Sequence, residues 1–148
     1  MVDAGNKCKR NGHGSHLIIV CDEAGILDAF YFVKDKLADS GNAFLSLIYS
    51  VPDKKTHPLF EHELSILEKR FSDNIIVHIL RVDNNNYCLI QELIEATINS
   101  NTLPTMKFSV FGNAEFVNYV HGILTFLDVK NFMINSKITL NHWEQNSR

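Results

Sequence analysis

The residue types that most often carry nucleophilic chemistry form no recognised pattern in this sequence. Its three cysteines, Cys8, Cys21 and Cys88, include neither a C-x-x-C pair nor the spacing of a disulfide framework. Cys21 and Cys88 lie within apolar runs, so we expect both thiols to be buried in a core. Cys21 also ends a predicted strand beside a loop, where a nucleophile can lie, but no base can be placed next to it from the sequence.

The seven histidines do not have the spacing of metal ligands. His57 and His62 are out of helical register with each other, and Glu61-His62-Glu63 does not match the H-E-x-x-H pattern of zinc enzymes. We therefore predict no metal site and name no catalytic side chain.

The elements that would position a binding site follow from the alternation of hydrophobic periods along the chain. Continuous apolar runs predict strands that are buried on both faces, and between these runs apolar residues recur at helical spacing. The predicted strands are 17–21, 43–51, 75–80, 106–110 and 132–140. The four predicted helices begin at Ile26, at Pro58, after Asn86 and at Asn113, which can cap its helix.

Five strands that alternate with four amphipathic helices predict an α/β fold, a doubly wound five-stranded parallel sheet with helices on both faces. We expect residues 16–140 to form the domain, with a polar tail or linker at 1–15 and a C-terminal tail at 141–148. Such sheets bind ligands at the carboxyl ends of their strands, where the strand order reverses. The loops after the first and fourth strands, 22–25 and 111–113, each contain a glycine and are the candidate binding loops.

The composition excludes several other classes of function. A net charge of −3 gives no general attraction to nucleic acid or to an anionic membrane. No apolar run approaches the roughly 18 residues of a membrane span, and the N-terminus lacks the apolar segment of a signal peptide. We expect a cytoplasmic protein that binds neither nucleic acid nor membrane.

Several segments carry a resemblance to a known family. Residues 46–50, 59–64 and 75–78 are similar to its second strand, the following helix start and its third strand. Residues 108–117 resemble the segment where the family has Cys-Gly-Pro, and residues 18–27 align with its Gly-Thr-Gly-Ile-Ala-Pro turn. Together they resemble the NAD(P)-binding domain of the ferredoxin-NADP reductase-like flavoproteins, over about residues 17–140.

This resemblance implies the strand order 3-2-1-4-5, with NAD(P) bound between the first and fourth strands. It also implies hydride transfer between a nicotinamide and a flavin that is held by a separate β-barrel domain. The first fifteen residues are too few to form such a barrel, so we expect no flavin site on this chain. If the chain is part of an enzyme, the flavin domain would belong to another chain.

The first loop departs from the family pattern. Glu23-Ala24-Gly25-Ile26-Leu27-Asp28 stands where the family has Gly-Thr-Gly-Ile-Ala-Pro, so only Gly25 and Ile26 are retained. Asp22, Glu23 and Asp28 would satisfy the start of the helix themselves and would repel a pyrophosphate at the same place.

The second loop and the end of the sheet also depart from the pattern. Phe111 replaces the family's cysteine and Asn113 its proline, while Gly112 is retained. Phe111 either fills the nicotinamide pocket or stacks on another planar ligand, and we expect the former. Lys137 and Thr139 stand where the family has a glutamate and an aromatic residue, which reverses a charge and removes a flavin-stacking ring.

By carry-over from the family, seven residues are the candidate cofactor-binding set. Gly25, Ile26, Tyr49, Gly112 and Asn113 would line the cleft, and Ser50 and Lys54 would approach the adenosine end. Pro52 stands where relatives that prefer the phosphorylated cofactor have arginine; Lys54 and Lys55 could partly substitute for that arginine, although lysines in such a loop are ordinary surface residues.

Three functions remain open from the sequence. One is a nucleotide-binding module with weakened or altered cofactor binding, and a second is a non-enzymatic interaction domain that has kept the fold and lost the cofactor. A third, binding of another nucleotide or acyl group, depends only on the general rule for such clefts. Because the face that meets the flavin barrel would be bare, with Ile26, Leu27, Phe111 and Phe116 near it, we also expect self-association or a flavin-domain partner.

Overall fold

Five parallel strands in the order 3-2-1-4-5 form the sheet, in agreement with the order that the resemblance implied. The computed structural model describes residues 14–39, 43–54 and 57–139. The strands are β1 Ser15–Cys21, β2 Ala43–Pro52, β3 Ile75–Val82, β4 Thr105–Gly112 and β5 Ile134–Ile138. The helices are α1 Ile26–Ala38, α2 Glu61–Arg70, α3 Leu89–Asn99 and α4 Ala114–Phe126. Cys8, Lys55, nearly all of the predicted N-terminal tail and the predicted tail at 141–148 lie outside the described residues.

The central strand β1 explains why both faces of the sheet carry helices. Side chains alternate between the faces of a strand, and both sets in β1 are apolar. Ile18 and Val20 belong to the core that α3 and α4 cover. Ile19 and Cys21 belong to the core that α1 and α2 cover. The apolar run that predicted a strand buried on both faces is therefore at the centre of the sheet.

Pairing of β1 with its two neighbours brings the candidate loops together. Cys21 is in register with Tyr49 of β2 and with Phe111 of β4, so β1 and β4 end side by side, while β2 continues to Pro52. The chain leaves β1 towards α1 and leaves β4 towards α4, and these helices lie on opposite faces of the sheet. The reversal of strand order thus lies between loops 22–25 and 111–113.

Several element boundaries differ from the sequence prediction by one to three residues, and the starts of α2 and β5 differ for an identifiable reason. Helix α2 begins at Glu61 rather than at Pro58, because Phe60 adopts a left-handed conformation with φ of 65°. The ring of Phe60 stacks on Phe30 with centroids 4.6 Å apart, and this contact accompanies the turn. Strand β5 begins at Ile134, because residues Asn131–Met133 form a turn of 3-10 helix.

The expectation that Cys88 is buried is wrong. Cys88 is exposed, at the start of α3, and Ile90 is the residue of this turn that faces the core. Successive side chains of a helix point in different directions, so residues that are neighbours in an apolar run do not all face the core.

Within the described residues, no helix is both long enough and apolar enough to cross a membrane.

Candidate functional site

The loops after β1 and β4 pack directly on each other. The backbone N–H of Asp22 donates to the carbonyl of Phe111 over 3.3 Å. A Cβ atom built on Gly25 would overlap the Phe111 carbonyl group and lie 2.6 Å from the Gly112 nitrogen. Glycine at position 25 is therefore required by the close approach of two backbones.

The carboxylate of Asp22 occupies the space between these loops. Its Oδ1 accepts the N–H of Gly25 at 2.9 Å, and its Oδ2 accepts the N–H of Asn113 at 3.3 Å. A Cβ on Gly112 would lie 2.7 Å from Asp22 Oδ1, so the second glycine leaves room for the carboxylate. Backbone N–H groups that precede two helices, the usual donors to a bound phosphate, are thus bonded to the protein itself.

The ionisation of Asp22 reflects two opposed effects. Burial raises the pKa of this carboxyl above its ordinary value, and the backbone N–H groups that it accepts partly offset the rise. The negative charge is therefore held in a partly desolvated place, where it acts strongly on any other charge that enters.

Asn113 caps α4, as the sequence predicts. Its backbone is extended, with φ of −72° and ψ of 168°, and its Oδ1 accepts the N–H of Phe116 at 2.8 Å. One of the unpaired N–H groups at the start of this helix is thereby satisfied. The start of α4 offers fewer free donors than an uncapped helix would.

Beside the two loops lies an open cleft of about 260 Å³. Its walls come from the carboxyl ends of β2 and β3, from the loops that follow β1, β3 and β4, and from the first turn of α4. The lining residues are Asp22, Ser50, Val51, Pro52, Val82, Asp83, Asn84, Tyr87, Asn113, Glu115 and Phe116. Three of these described residues are acidic and none is Lys, Arg or His, so the cleft repels anions.

The structure places the seven predicted cofactor-binding residues in four kinds of location. Ser50 and Asn113 line the cleft, and Gly25 and Gly112 form the packed loops at its edge. Ile26 and Tyr49 are fully buried in the core under α1 and α2, and Lys54 is exposed beyond β2 and does not line the cleft.

The side chain of Tyr49 is in an apolar environment. Its hydroxyl has no hydrogen-bond partner of good geometry among the described residues. Burial, with smaller contributions from Cys21, Glu23 and Asp22, raises the pKa of Tyr49 well above its ordinary value. A tyrosine in this position packs in the core and does not present its ring to a ligand.

Phe111 also packs in the core and is not available for stacking on a planar ligand. Its ring lies against Phe32 of α1, with centroids 5.6 Å apart. The sequence allowed Phe111 either to fill the pocket or to stack on a planar ligand, and its packed position agrees with the first of these.

The sequence predicts a bare apolar face near Ile26, Leu27, Phe111 and Phe116, but three of these four side chains are buried. Ile26, Phe111 and Phe116 are buried, and only Leu27 is about half exposed. Ile26 and Phe111 pack in the core under α1 and α2, and Phe116 packs in the core under α3 and α4. Of these four side chains, Leu27 is the one that leaves apolar surface exposed at this end of the sheet.

Three departures from the family pattern contact one another at the end of β5. Asp28 in the first turn of α1 forms an ion pair with Lys137 at 3.4 Å and accepts a hydrogen bond from the Thr139 hydroxyl at 3.1 Å. The N–H of Thr139 donates to the carbonyl of Gly112 at 2.7 Å. These contacts join α1, β4 and β5 across the edge where the resemblance places the nicotinamide and the flavin.

Sequence reasoning missed the part of the cleft that follows β3. The Asp83 carboxylate accepts the N–H groups of Asn85 and Asn86, and the Asn86 side chain accepts the N–H of Asp83, which fixes a tight turn. Tyr87, just after this turn, packs against Tyr119 of α4 in a tilted arrangement, with ring centroids 4.5 Å apart. The signal was present, since the asparagine-rich loop follows a strand that ends at the same edge of the sheet.

The other chemical candidates are not part of a site. Cys21 is fully buried, and burial raises the pKa of its thiol, so it is not a reactive thiolate. Among the described residues, no group of three His, Cys, Asp or Glu side chains could hold a metal ion.

Three solved structures have the same fold over most of this chain. The CS-b5R domains of human Ncb5or, in an NAD⁺ form, match with a TM-score of 0.68 and 12% identity, over 88% of this chain and 38% of theirs. Ferredoxin-NADP⁺ reductase from Plasmodium falciparum, as its H286L mutant, matches with a TM-score of 0.65 and 17% identity, over 90% of this chain and 55% of that one. Flavohemoglobin from Malassezia yamatoensis, with bound FAD and heme, matches with a TM-score of 0.62 and 14% identity, over 86% and 32%.

These comparisons establish the fold. The chain therefore has the fold of the NAD(P)-binding domain of ferredoxin-NADP reductase-like flavoproteins, and it spans 55% or less of the length of each of the three proteins. No protein-family model matches the chain, and no curated protein matches it in sequence.

Proposed function

We propose that this chain is a nucleotide-binding module, related to the pyridine-nucleotide half of flavin-dependent oxidoreductases, in which cofactor binding is weakened. The observation that carries the proposal is the Asp22 carboxylate, which accepts the N–H groups of both Gly25 and Asn113. A phosphate that used the same donors would have to displace this carboxylate.

The electrostatic cost supports weak binding. Two like charges about 6 Å apart, at an effective dielectric constant of about 20, repel by roughly 3 kcal/mol before screening by salt. Even half of that would weaken binding about tenfold. Asp83 and Glu115 add negative charge to the cleft, and none of its described lining residues compensates for it.

The cleft still has room for a small ligand. Its 260 Å³ opening is lined by Ser50, Asn84, Tyr87 and Asn113, which offer hydroxyl and amide groups and one aromatic ring. These groups suit the ribose or base of a nucleotide better than its phosphates. Hydroxyl and amide groups form hydrogen bonds with the neutral polar atoms of the ribose and base, but they carry no positive charge to offset the negative charge of a phosphate. Any hydride transfer would further require a flavin held on another chain.

The proposal is tested by calorimetric titration of the purified chain with NADH, NADPH and ADP. We expect the wild type to bind NADH with a Kd of about 1 mM or weaker, and Asp22→Gly to tighten it at least about tenfold, because the loop N–H groups become available to phosphate. Asp35→Asn, which neutralises an exposed acid on α1, is the matched charge control and should leave the Kd unchanged.

Two outcomes would contradict the proposal. Micromolar binding by the wild type would mean that Asp22 does not close the site. Absence of binding by both the wild type and a folded Asp22→Gly variant would favour the second candidate, an interaction domain without a cofactor.

One observation favours that second candidate. Phe126 and Phe132 are 76% and 89% exposed, and Ile138 of the edge strand β5 is about half exposed. Exposed apolar groups of this size near an open strand edge suit contact with another protein. The partner would be a flavin-domain protein or a second copy of this chain.

A further inference from the structure

A second pocket lies at the opposite end of the sheet, beside the amino ends of the strands. Its volume is about 200 Å³, close to that of six or seven water molecules in the liquid. The lining residues are His16, Phe44, Ser46, Ile76, His78, Thr97, Ser100, Asn101, Thr102 and Leu103. This pocket shares no lining residue with the cleft of the proposed function, so its chemistry is independent of that function.

Three of its side chains form a hydrogen-bonded chain. Ser46 Oγ lies 2.7 Å from His16 Nε2, and His16 Nδ1 lies 3.0 Å from Asn101 Oδ1. Ser46 is 3% exposed and His16 is 6% exposed, while the pocket opens beside both. The order is hydroxyl, imidazole and then an orienting acceptor, which is the geometry that activates a serine.

The surroundings of Asn101 determine which nitrogen of His16 carries the proton. The Asn101 amide nitrogen donates to the Leu103 carbonyl at 2.8 Å, and its Oδ1 also accepts the N–H of Leu103 at 3.2 Å. The amide oxygen must therefore face His16, so Nδ1 of the imidazole is the donor and Nε2 is the acceptor. The Ser46 hydroxyl consequently donates to Nε2, the direction that a general base requires.

Further contacts hold the imidazole in place and keep it neutral. Its ring lies edge-on to Phe44, with centroids 5.5 Å apart and an interplanar angle of 66°. Burial lowers the pKa of His16 below its ordinary value, although the hydrogen bond to Asn101 opposes this, so the ring is a free base at neutral pH. His78 is the other titratable side chain that lines the pocket, and none of the described lining residues is an acid.

We propose that Ser46 is the nucleophile of a hydrolytic site for short-chain carboxylic esters, with His16 as its general base and Asn101 as the residue that positions the imidazole. The pocket is small, and Phe44, Ile76 and Leu103 give it an apolar part that suits a short acyl chain. The side chain of His78 lines the pocket and makes no hydrogen bond within the described residues, so its ring N–H can donate to the ester carbonyl oxygen.

The reaction balances with water as the only co-reactant. Ser46 Oγ bonds to the ester carbonyl carbon as its proton passes to His16 Nε2, and the carbon–oxygen bond to the alcohol then breaks as that proton passes to the leaving oxygen. A water molecule, deprotonated by the same nitrogen, attacks the acyl carbon, and the bond from this carbon to Ser46 Oγ then breaks as the proton passes from His16 Nε2 to Oγ. The products are the carboxylic acid and the free serine.

The test is incubation of the full chain with p-nitrophenyl acetate, followed by release of p-nitrophenolate, the intact mass and peptide mapping. When the reaction is quenched with acid before the acyl-serine is hydrolysed, we expect up to one acetyl group per chain, located on the peptide that contains Ser46. Ser46→Ala should abolish this modification, whereas Ser109→Ala, which alters another buried strand serine, should retain it. His16→Ala should lower the acylation rate at least about 100-fold.

The role of Asn101 has its own readout. Asn101→Ala should lower the rate and move the midpoint of its pH profile to lower pH, because the hydrogen bond from His16 to Asn101 raises the pKa of the imidazole. A His78→Gln variant separates the ionisation of His78 from that of His16. A rate that falls with no change in the midpoint would overturn the positioning role.

Acetylation confined to lysines, or an unmodified Ser46 peptide in the wild-type chain, would overturn the proposal. This mapping uses the native chain, so it remains decisive even if Ser46→Ala does not fold.

Discussion

At the level of residues, the carboxylate of Asp22 holds two loops together at the carboxyl ends of the strands. Asp22 holds the N–H groups of two loops, and two glycines make room for this arrangement in different ways. Gly25 allows the two loop backbones to touch, and Gly112 leaves space for the carboxylate itself. In the family that this chain resembles, glycines at such a turn allow a phosphate to approach, so here the same property serves an internal anion.

Gly25→Ala should destabilise the chain by about 1–3 kcal/mol, because the added methyl group overlaps the backbone of Phe111 and one loop must move. The φ of Gly25 is −99°, so the cost is steric and not conformational. Urea unfolding measures it. Gly122→Ala is the control: nothing lies within 4 Å of the added carbon, and alanine in the interior of α4 should stabilise the chain by up to about 1 kcal/mol. Equal effects of the two substitutions would contradict this interpretation.

At the level of elements, the two edge strands β3 and β5 differ in how their outer edges are covered. On β3 the N–H of Val77 donates to the Glu68 carboxylate of α2 at 2.8 Å, so a side chain takes the place of a neighbouring strand. On the opposite side, β5 carries the half-exposed Ile138 next to the exposed Phe132. Protected edges resist pairing with other chains, so any partner is expected at β5.

Glu68→Ala should lower the free energy of unfolding by about 1–2 kcal/mol, because the Val77 N–H loses a charged acceptor. The amide of Val77 should also exchange with deuterium faster. Glu95→Ala, an exposed glutamate on α3, should change stability by less than about 0.5 kcal/mol. Unchanged exchange at Val77 would show that this contact does not protect the edge.

At the level of the whole molecule, the two edges of the sheet have different chemistry. At the carboxyl ends of the strands the cleft is acidic and the loop N–H groups are bonded to Asp22, whereas at the amino ends a neutral, buried histidine links β1, β2 and the loop before β4. The fold therefore offers two separate places for function.

The buried histidine should make the stability of the whole chain depend on pH. The pKa of His16 is lower in the folded state, so the unfolded state binds a proton first as the pH falls below about 6.5. The free energy of unfolding should decrease by up to about 1.4 kcal/mol per pH unit between the unfolded and folded pKa values. Urea unfolding of the wild type and His16→Gln between pH 7.5 and 5.5 measures this decrease. An equal decrease in the variant would assign the effect to other groups.

The local pattern of the sequence was sufficient to predict the strands and helices, and the resemblance to the family was sufficient to predict the order of the strands in the sheet. Apolar runs and helical stripes depend on residues close in the chain, so strand β1, helix α1 and the cap at Asn113 could be predicted. Only the tertiary structure decided which of three acids meets the loops, and that Ile26 and Tyr49 are buried. It alone joined Ser46 to His16 and His16 to Asn101, which are 30 and 85 positions apart. Strand register and loop packing set these contacts, and neither leaves a periodic signal in the sequence.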